Sequence, residues 1–512
     1  MAKYVMSNRR AGKFTDEAKM ASRKSLETSF SQISNSVDVF GDKAKGETSR
    51  RTIFFMADPS EIESKREAFG PDVIIEPEIV HHKMLDNFSF DLMKAVPLDL
   101  VPAFRQEAAD QRFLGTQRET VVTVRGNRRL LHGVEVLLFL SGPGGLRERV
   151  EQRTNSRGKA RFKYASFFEV LGLVASPYGG FWPKMVRGGG SRIDVDCAPL
   201  PNDGPSGWWH RIMGILYDPE YGMSSDGTRI GVGVIDSGYG PHPSLNGFND
   251  CGAIIDGTEL TDPNDGNDSG SHGTHVCGII GGRHATDGFG GIAPAADLYS
   301  VRVFPANGGA NQGDIADAID LLSNDKSVHL INMSLGALSG SQIERDAIID
   351  ALERGTLCIC AAANSAGQVE YPVAFPETVA ISALGRLGKV PTDSFPAIPS
   401  NPDLFGNDQI YAADFTCFGR EIICGGGGVG IISTVPERHG YEKPYAAMNG
   451  TSMASPAVCA ALAILLSKDD AYMSMGMNKA RAKYARSLLT AKCKDVGLPR
   501  EYQGRGVPFK NS

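Results

Sequence analysis

No stretch of the sequence reaches the roughly 20 consecutive apolar residues that a membrane-spanning helix needs. The best candidate, 457–466, is about half that long and reads as a buried helix. Cysteine is absent before Cys197, the total of nine is odd, and no C-x-x-C spacing occurs. That leaves neither a zinc-binding pattern nor the even-numbered framework of a disulfide-stapled chain. Cys277, Cys358, Cys360 and Cys459 sit inside apolar runs, where a reduced thiol behaves as a small hydrophobe. Positive charge is not in excess: 53 Lys and Arg face 59 Asp and Glu, for a net charge of −6. With a pI near 6.0 there is no electrostatic reason to expect nucleic acid or an anionic membrane as a partner. The first residues run straight into Arg9, Arg10 and Lys13 and lack the apolar core of a secretory signal. The expected location is therefore cytoplasmic, with export by another route left open.

Glycine, by contrast, is abundant, with 60 residues that signal tight turns and close backbone approaches. A length of 512 residues exceeds one ordinary domain. Residues 1–50 are polar and rich in Ser and Lys, and read as a flexible leader. In 51–117 an apolar run at Thr52–Met56, a short helical stretch from Glu61 and a second strand at Asp72–Pro77 outline a small α+β unit. In 118–195, alternating runs such as 120–124 and 133–140, separated by Gly/Pro and Asn-Ser-Arg-Gly turns, suggest a small β-sandwich ending near Gly190. The glycines 188–190 and the Pro-rich 199–205 read as a linker. From 205 to 512, strand-like runs at 230–235, 298–303, 328–333, 357–362 and 379–383 alternate with helical stretches at 314–322, 342–354 and 452–468. Near-continuous apolar strands alternating with helices predict an α/β fold, a doubly wound and mostly parallel sheet.

In such sheets functional groups gather at the carboxyl ends of strands. Asp236 stands at one, after Ile230-Gly-Val-Gly-Val-Ile235. By itself it is equally a turn aspartate; a phosphate loop fits less well because the G-x-G-x-x-G spacing is missed. His272 opens His-Gly-Thr-His, whose two histidines, His272 and His275, could share a helix face toward a metal or could leave His272 to bridge a nucleophile and a carboxylate. Ser452, in Asn449-Gly-Thr-Ser-Met-Ala-Ser-Pro456, falls where a turn meets a long apolar helix. A helix start suits either a capping serine or a nucleophile beside unpaired N–H groups. Asn449-Gly-Thr also forms a glycosylation sequon, but one beside a buried helix.

Taken together, the three segments, in the order Asp, His, Ser, resemble the signature blocks of the subtilisin-like serine proteases over roughly residues 207–505. The resemblance implies a serine endopeptidase with Asp236, His272 and Ser452 as a catalytic triad and Asn364 with the Ser452 amide as the oxyanion hole. It implies that Ser334, Leu335, Gly336, Ala361 and Ala362 bind an extended peptide or protein substrate. Glu370, before Tyr371-Pro372, falls where the family forms the pocket for the residue preceding the scissile bond, and its carboxylate would favour Lys or Arg. Residues 51–85 resemble the inhibitory propeptide, so the N-terminal region could inhibit the enzyme and be removed by self-cleavage, as in a specific processing protease, or, with a β-rich insertion after it, could remain as a regulatory or recognition module. The 118–190 region resembles a transthyretin-like or carboxypeptidase-regulatory-like sandwich. No cofactor is required, and the usual strong calcium site is expected to be absent: Ser244 and Ala285 stand where the family has oxygen ligands. Glu421–Gly428 replaces a family turn and reads as a freer turn. The opposing class, a catalytically silent scaffold on the same fold, would be free to lose a triad member, and none is missing.

Overall fold

In the computed structural model the described residues are 1–9, 39–40, 52–65, 73–84, 116–202, 204–284, 288–394, 398–438 and 443–509. The centre of the molecule is a nine-stranded sheet. Its middle strand, Gly231–Asp236, pairs in parallel with Asp297–Arg302 on one side and Leu330–Met333 on the other. Leu357–Ala361 and Val379–Arg386 extend the parallel order. Period-two alternation sends successive side chains to opposite faces. Val232, Val234, Leu330, Leu357 and Ile359 join one core cluster, whereas Ile235, Ile331, Met333, Cys358 and Cys360 join the other. On the first face lie the helices His272–Gly281 and Thr451–Ser467; on the second lie Gln312–Asp320 and Gln342–Glu353. A sheet covered on both faces explains why its strands read as unbroken apolar runs.

The segment expected to be a loose turn at 421–428 instead contributes the strand Ile422–Gly427, parallel to Val379–Arg386. Glycine is required there because the long helix presses on the backbone: a Cβ on Gly426 would lie 2.6 Å from the Ala454 carbonyl oxygen. All nine cysteines are free thiols, and seven of them are buried.

The N-terminal region departs from the sequence expectation. Ala2–Asn8, placed in a flexible leader, is a strand, and Val5 and Met6 on it are fully buried. It pairs antiparallel with both Thr52–Ala57 and Val73–Pro77, within a four-stranded sheet. Sequence-local pattern could not reveal this, because the strand's partners lie some fifty and seventy residues away. The sheet rests on the helix Gln312–Asp320: Phe54 and Val5 enter the second core cluster, and Thr52 Oγ1 donates to Asp317 at 2.7 Å. Val39–Phe40, also in that leader, adds a short antiparallel strand beside Thr52–Ala57, and residues 10–38 and 41–50 lie outside the described residues.

Residues 116–197 form two four-stranded sheets around one apolar core. Arg192–Cys197 pairs in parallel with Gln117–Gly126, so this unit continues past Gly190, and the three glycines are a turn within it. Trp182 inserts into the core of the large domain, and Lys184 pairs with Asp393 at 3.0 Å.

His210 and His275 are fully buried in the large domain, and burial pushes the pKa of His210 down to about 4 and that of His275 down to about 3. His275 Nε2 faces the Ile431 and Ala446 carbonyls at 3.1 and 3.0 Å, so it carries the proton and donates to them. This ties the helix to the hairpin of Ile431–Thr434 and Tyr445–Met448 through Nε2, while Nδ1 is buried with no hydrogen-bond partner among the described residues. Both histidines bind protons more readily when unfolded, so their contribution to stability is present above pH 6.5 and is lost as pH falls toward the folded values. Urea unfolding of the Ser452→Ala chain should therefore show lower midpoints at pH 5 than at pH 6.5, with an unfolding free energy that declines by about 1 kcal/mol per pH unit for each histidine. His275→Gln should make that decline shallower. A midpoint that stays level or rises on acidification would contradict the assignment.

Candidate active site

Asp236 ends the middle strand of the sheet, His272 begins a helix, and Ser452 sits in the first turn of the 17-residue helix that follows Gly450. All three are buried. The His272 Nδ1 nitrogen lies 2.7 Å from Asp236 Oδ1. A carboxylate accepts, so Nδ1 carries the proton and Nε2 presents its lone pair. His272 Nε2 is buried and has no hydrogen-bond partner among the described residues. The Ser237 amide also donates to Asp236 Oδ1, at 2.6 Å.

A further carboxylate, not singled out from the sequence, fixes this corner. Asp268 accepts from the Ser237 hydroxyl at 2.7 Å, the Thr274 amide and hydroxyl at 2.8 and 2.6 Å, and the Gly270 amide at 2.8 Å. It joins the end of the Asp236 strand to the first turn of the His272 helix. Burial raises its pKa against the pull of those hydrogen bonds.

Asn364 is oriented by Thr451. The Asn364 Oδ1 oxygen accepts from the Thr451 amide at 3.0 Å and from its hydroxyl at 2.9 Å. The two donors fix which end of the amide is oxygen. Nδ2 therefore points away, buried and with no hydrogen-bond partner among the described residues. The Thr451 hydroxyl also accepts from the Ala363 amide, whose residue is held at φ +93°. A left-handed alanine is strained and persists only where its surroundings hold it. Thr451 was quoted in the sequence motif without a role; this double contact is that role's structural basis.

The cleft beside these groups is filled by the chain itself. Val80–Lys83 runs antiparallel between Ala310–Asn311 and Leu335–Gly336, making a three-stranded sheet. Lys83 lies opposite Leu335 and His82 opposite Gly336. The Met84 amide donates to the Ser334 carbonyl, and the Ser452 amide donates to the Met84 carbonyl, both at 3.2 Å. The Ser452 hydroxyl donates to the Ser334 carbonyl at 3.1 Å. Met84 is buried in the cluster that includes Leu335, Ala361, Ala362 and Val373. A Cβ on Gly336 would lie 2.5 Å from Met84 Cε, so glycine there makes room for that side chain. Ser334, Leu335, Gly336, Ala361 and Ala362 are thus gathered around one extended segment. Glu370 is not turned to a basic partner: its carboxylate accepts from the Ser365 hydroxyl at 2.8 Å, and the side chain in the neighbouring cluster is the apolar Met84. The strand at 80–83, Val-His-His-Lys, has no apolar–polar alternation to mark it in the sequence.

Ser244, one of the two positions weighed for calcium, is buried with its hydroxyl 3.0 Å from that of Tyr445. Ala285, the other, lies outside the described residues.

Residues 227–506, over half of the 512, match the subtilase family. The chain is 31% identical over 273 residues to subtilisin Savinase of Lederbergia lenta, covering 53% of this chain and 89% of that protein. It is 32% identical over 267 residues to the minor extracellular protease Epr of Bacillus subtilis (strain 168), covering 52% of this chain but only 36% of that protein. Subtilisin amylosacchariticus, from Bacillus subtilis subsp. amylosacchariticus, is 34% identical over 249 residues. A relative that is extracellular by name overturns the cytoplasmic location read from the first residues. The chain belongs to the subtilase family, and residues 227–506 form its subtilisin-like serine endopeptidase domain.

Proposed function

We propose that the protein hydrolyses peptide bonds of peptide or protein substrates through Asp236, His272 and Ser452, and that its first substrate is its own N-terminal region. The observation that carries this reading is the Met84 carbonyl, which accepts from the Ser452 amide while its strand is paired on both sides within the cleft. The peptide bond following Met84 is then the bond presented for attack.

The chemistry follows from the groups in place. A serine hydroxyl is a weak nucleophile without an adjacent base. In attack, the Ser452 hydroxyl exchanges its Ser334 acceptor for His272 Nε2, which takes the proton as Oγ bonds to the carbonyl carbon. Asp236 holds the tautomer and stabilises the imidazolium. The carbonyl oxygen becomes an oxyanion between the Ser452 amide and Asn364 Nδ2. His272 returns the proton to the leaving amine as the C–N bond breaks, and water then releases the acyl group by the same steps in reverse order. These steps need no cofactor. With Ser244 bonded to Tyr445, no carboxylate stands at that position of the family's strong calcium site, and we read the site as absent.

The N-terminal sheet fits an inhibitory role. Just before the segment in the cleft, it supplies Glu76 to the start of the helix Gln342–Glu353: the Ser341 hydroxyl and Gln342 amide donate to it at 2.6 and 2.7 Å. Gln312, opening the neighbouring helix, exchanges hydrogen bonds of 2.8 Å with Ile79 and Pro77. Such end-on contacts favour negative charge and satisfy orphan helix donors. On this reading Met84 also shows the side chain accepted before the scissile bond, a long unbranched apolar one rather than the basic one expected from Glu370.

A fluorophosphonate probe should label the incubated wild-type protein at Ser452 and leave the Ser452→Ala chain unlabelled; label at another residue, or none, would refute the assignment of the nucleophile. Asn364→Ala should lower kcat by about 10²–10³-fold with KM little changed. Thr451→Val should lower kcat in the same way by a smaller factor, and Thr451→Ser, which keeps the hydroxyl, should restore it. Equal kcat for all three chains would remove Asn364 from the reaction.

A further inference from the structure

Along the segment in the cleft, Val80 (40% exposed) and His82 are exposed, Lys83 is half-buried, and His81 and Met84 are buried. Two side chains therefore enter the protein, Met84 and, three residues upstream, His81. His81 is fully buried and its Nε2 lies 3.0 Å from Glu344 Oε2, a carboxylate that is itself fully buried. Neither His81 Nδ1 nor Glu344 Oε1 has any hydrogen-bond partner among the described residues. Ala310 lies opposite His81 across the strands and Ile343 next to Glu344 in the second core cluster, while the Glu76 carboxylate, on Ser341 and Gln342 at the same helix start, is a second negative group nearby.

Glu344 belongs to the large domain and not to the segment that occupies the cleft. It sits in the first turn of the helix Gln342–Glu353, where its amide donates to the capping Ser341 hydroxyl at 3.1 Å. Negative charge is favoured at that end of a helix. Once the occupant leaves, the cleft retains a recessed acceptor with no donor of its own. A substrate with an apolar side chain at this position would bury the carboxylate unpartnered, and one with a carboxylate would add a like charge.

We propose that Glu344 is a specificity-determining residue, and that the enzyme selects substrates carrying a basic side chain (His, Lys or Arg) three residues before the one that precedes the scissile bond. The inference rests on the reading that residues 80–84 lie as a substrate does. A site built to hydrogen-bond a donor rejects an isostere lacking it far more strongly than an apolar pocket discriminates by size. The preference belongs to Glu344 alone, because Glu370 is occupied by Ser365 and lies beside the Met84 end of the cleft.

The test uses internally quenched peptides with Met before the scissile bond that differ only three residues further upstream: His, Arg, Leu or Glu. They are given to the incubated full-length wild type and to the Glu344→Gln and Glu344→Leu chains. For the wild type, kcat/KM with His or Arg should exceed that with Leu by about ten-fold or more, and the Glu peptide should be poorest. Glu344→Leu should reverse the order of Leu and Arg while still cutting after Met. Glu344→Gln, close to isosteric, should narrow the Arg-to-Leu ratio, which keeps the test decisive if the leucine variant does not fold. Cleavage after Met that is indifferent to the upstream residue, or a basic preference unchanged in the variants, would overturn the role of Glu344 and leave the cleft reading intact. A wild-type chain that labels at Ser452 yet cuts none of the peptides after Met would overturn the cleft reading and this inference with it.

Discussion

The hydrogen bond from the Ser452 amide to the Met84 carbonyl is the point on which the rest of the molecule converges. To make it, the long helix must begin at Gly450, the strand at Leu335–Gly336 must pair with residues 82 and 83, and the N-terminal sheet must hold its last strand in register. Each requirement is met by a different part of the chain. The parallel sheet brings Asp236 and Ser334 to neighbouring strand ends, because Gly231–Asp236 and Leu330–Met333 pair directly. The helices then supply His272 and Ser452 from their first turns, where backbone donors are unpaired.

The polar groups around the site are matched economically, and those left unmatched are informative. Asp268 uses four donors to lock a strand end to a helix start, and Thr451 orients Asn364 while steadying the strained Ala363. Buried polar atoms without partners are rare in native proteins and call for an explanation. Here His272 Nε2, Asn364 Nδ2 and Glu344 Oε1 are three such atoms among the described residues. The first two await a reacting group on the reading given above; the third faces a substrate side chain.

What was legible in the sequence is what is local. Asp236, His272 and Ser452 each sit in a short block whose residues make their own turn or helix start, so the blocks can be read one at a time and then in order. The apolar strands of the large domain could be read for the same reason. The strand Ala2–Asn8 was missed because its pairing partners are remote, and the extent of the β-rich unit was cut short because Arg192–Cys197 pairs in parallel with a strand that begins at Gln117. Glu370 attracted attention by its place in a motif, yet it turns to Ser365, while Glu344 looked like an ordinary first-turn residue of an amphipathic helix. Only the tertiary fold, which sets His81 against it, distinguishes the second carboxylate from the first.

The β-rich unit at 116–197 follows the presented bond, so cleavage there would leave it joined to the enzyme. Its attachment through Trp182 and the Lys184–Asp393 pair is consistent with a lasting part of the structure. The most direct test of the account is the intact mass of the purified wild-type chain followed over time beside Ser452→Ala. The account predicts that only the wild type separates into a fragment ending at Met84 and a partner beginning at Leu85. A stable break at any other bond, or the same break in the Ser452→Ala chain, would contradict it.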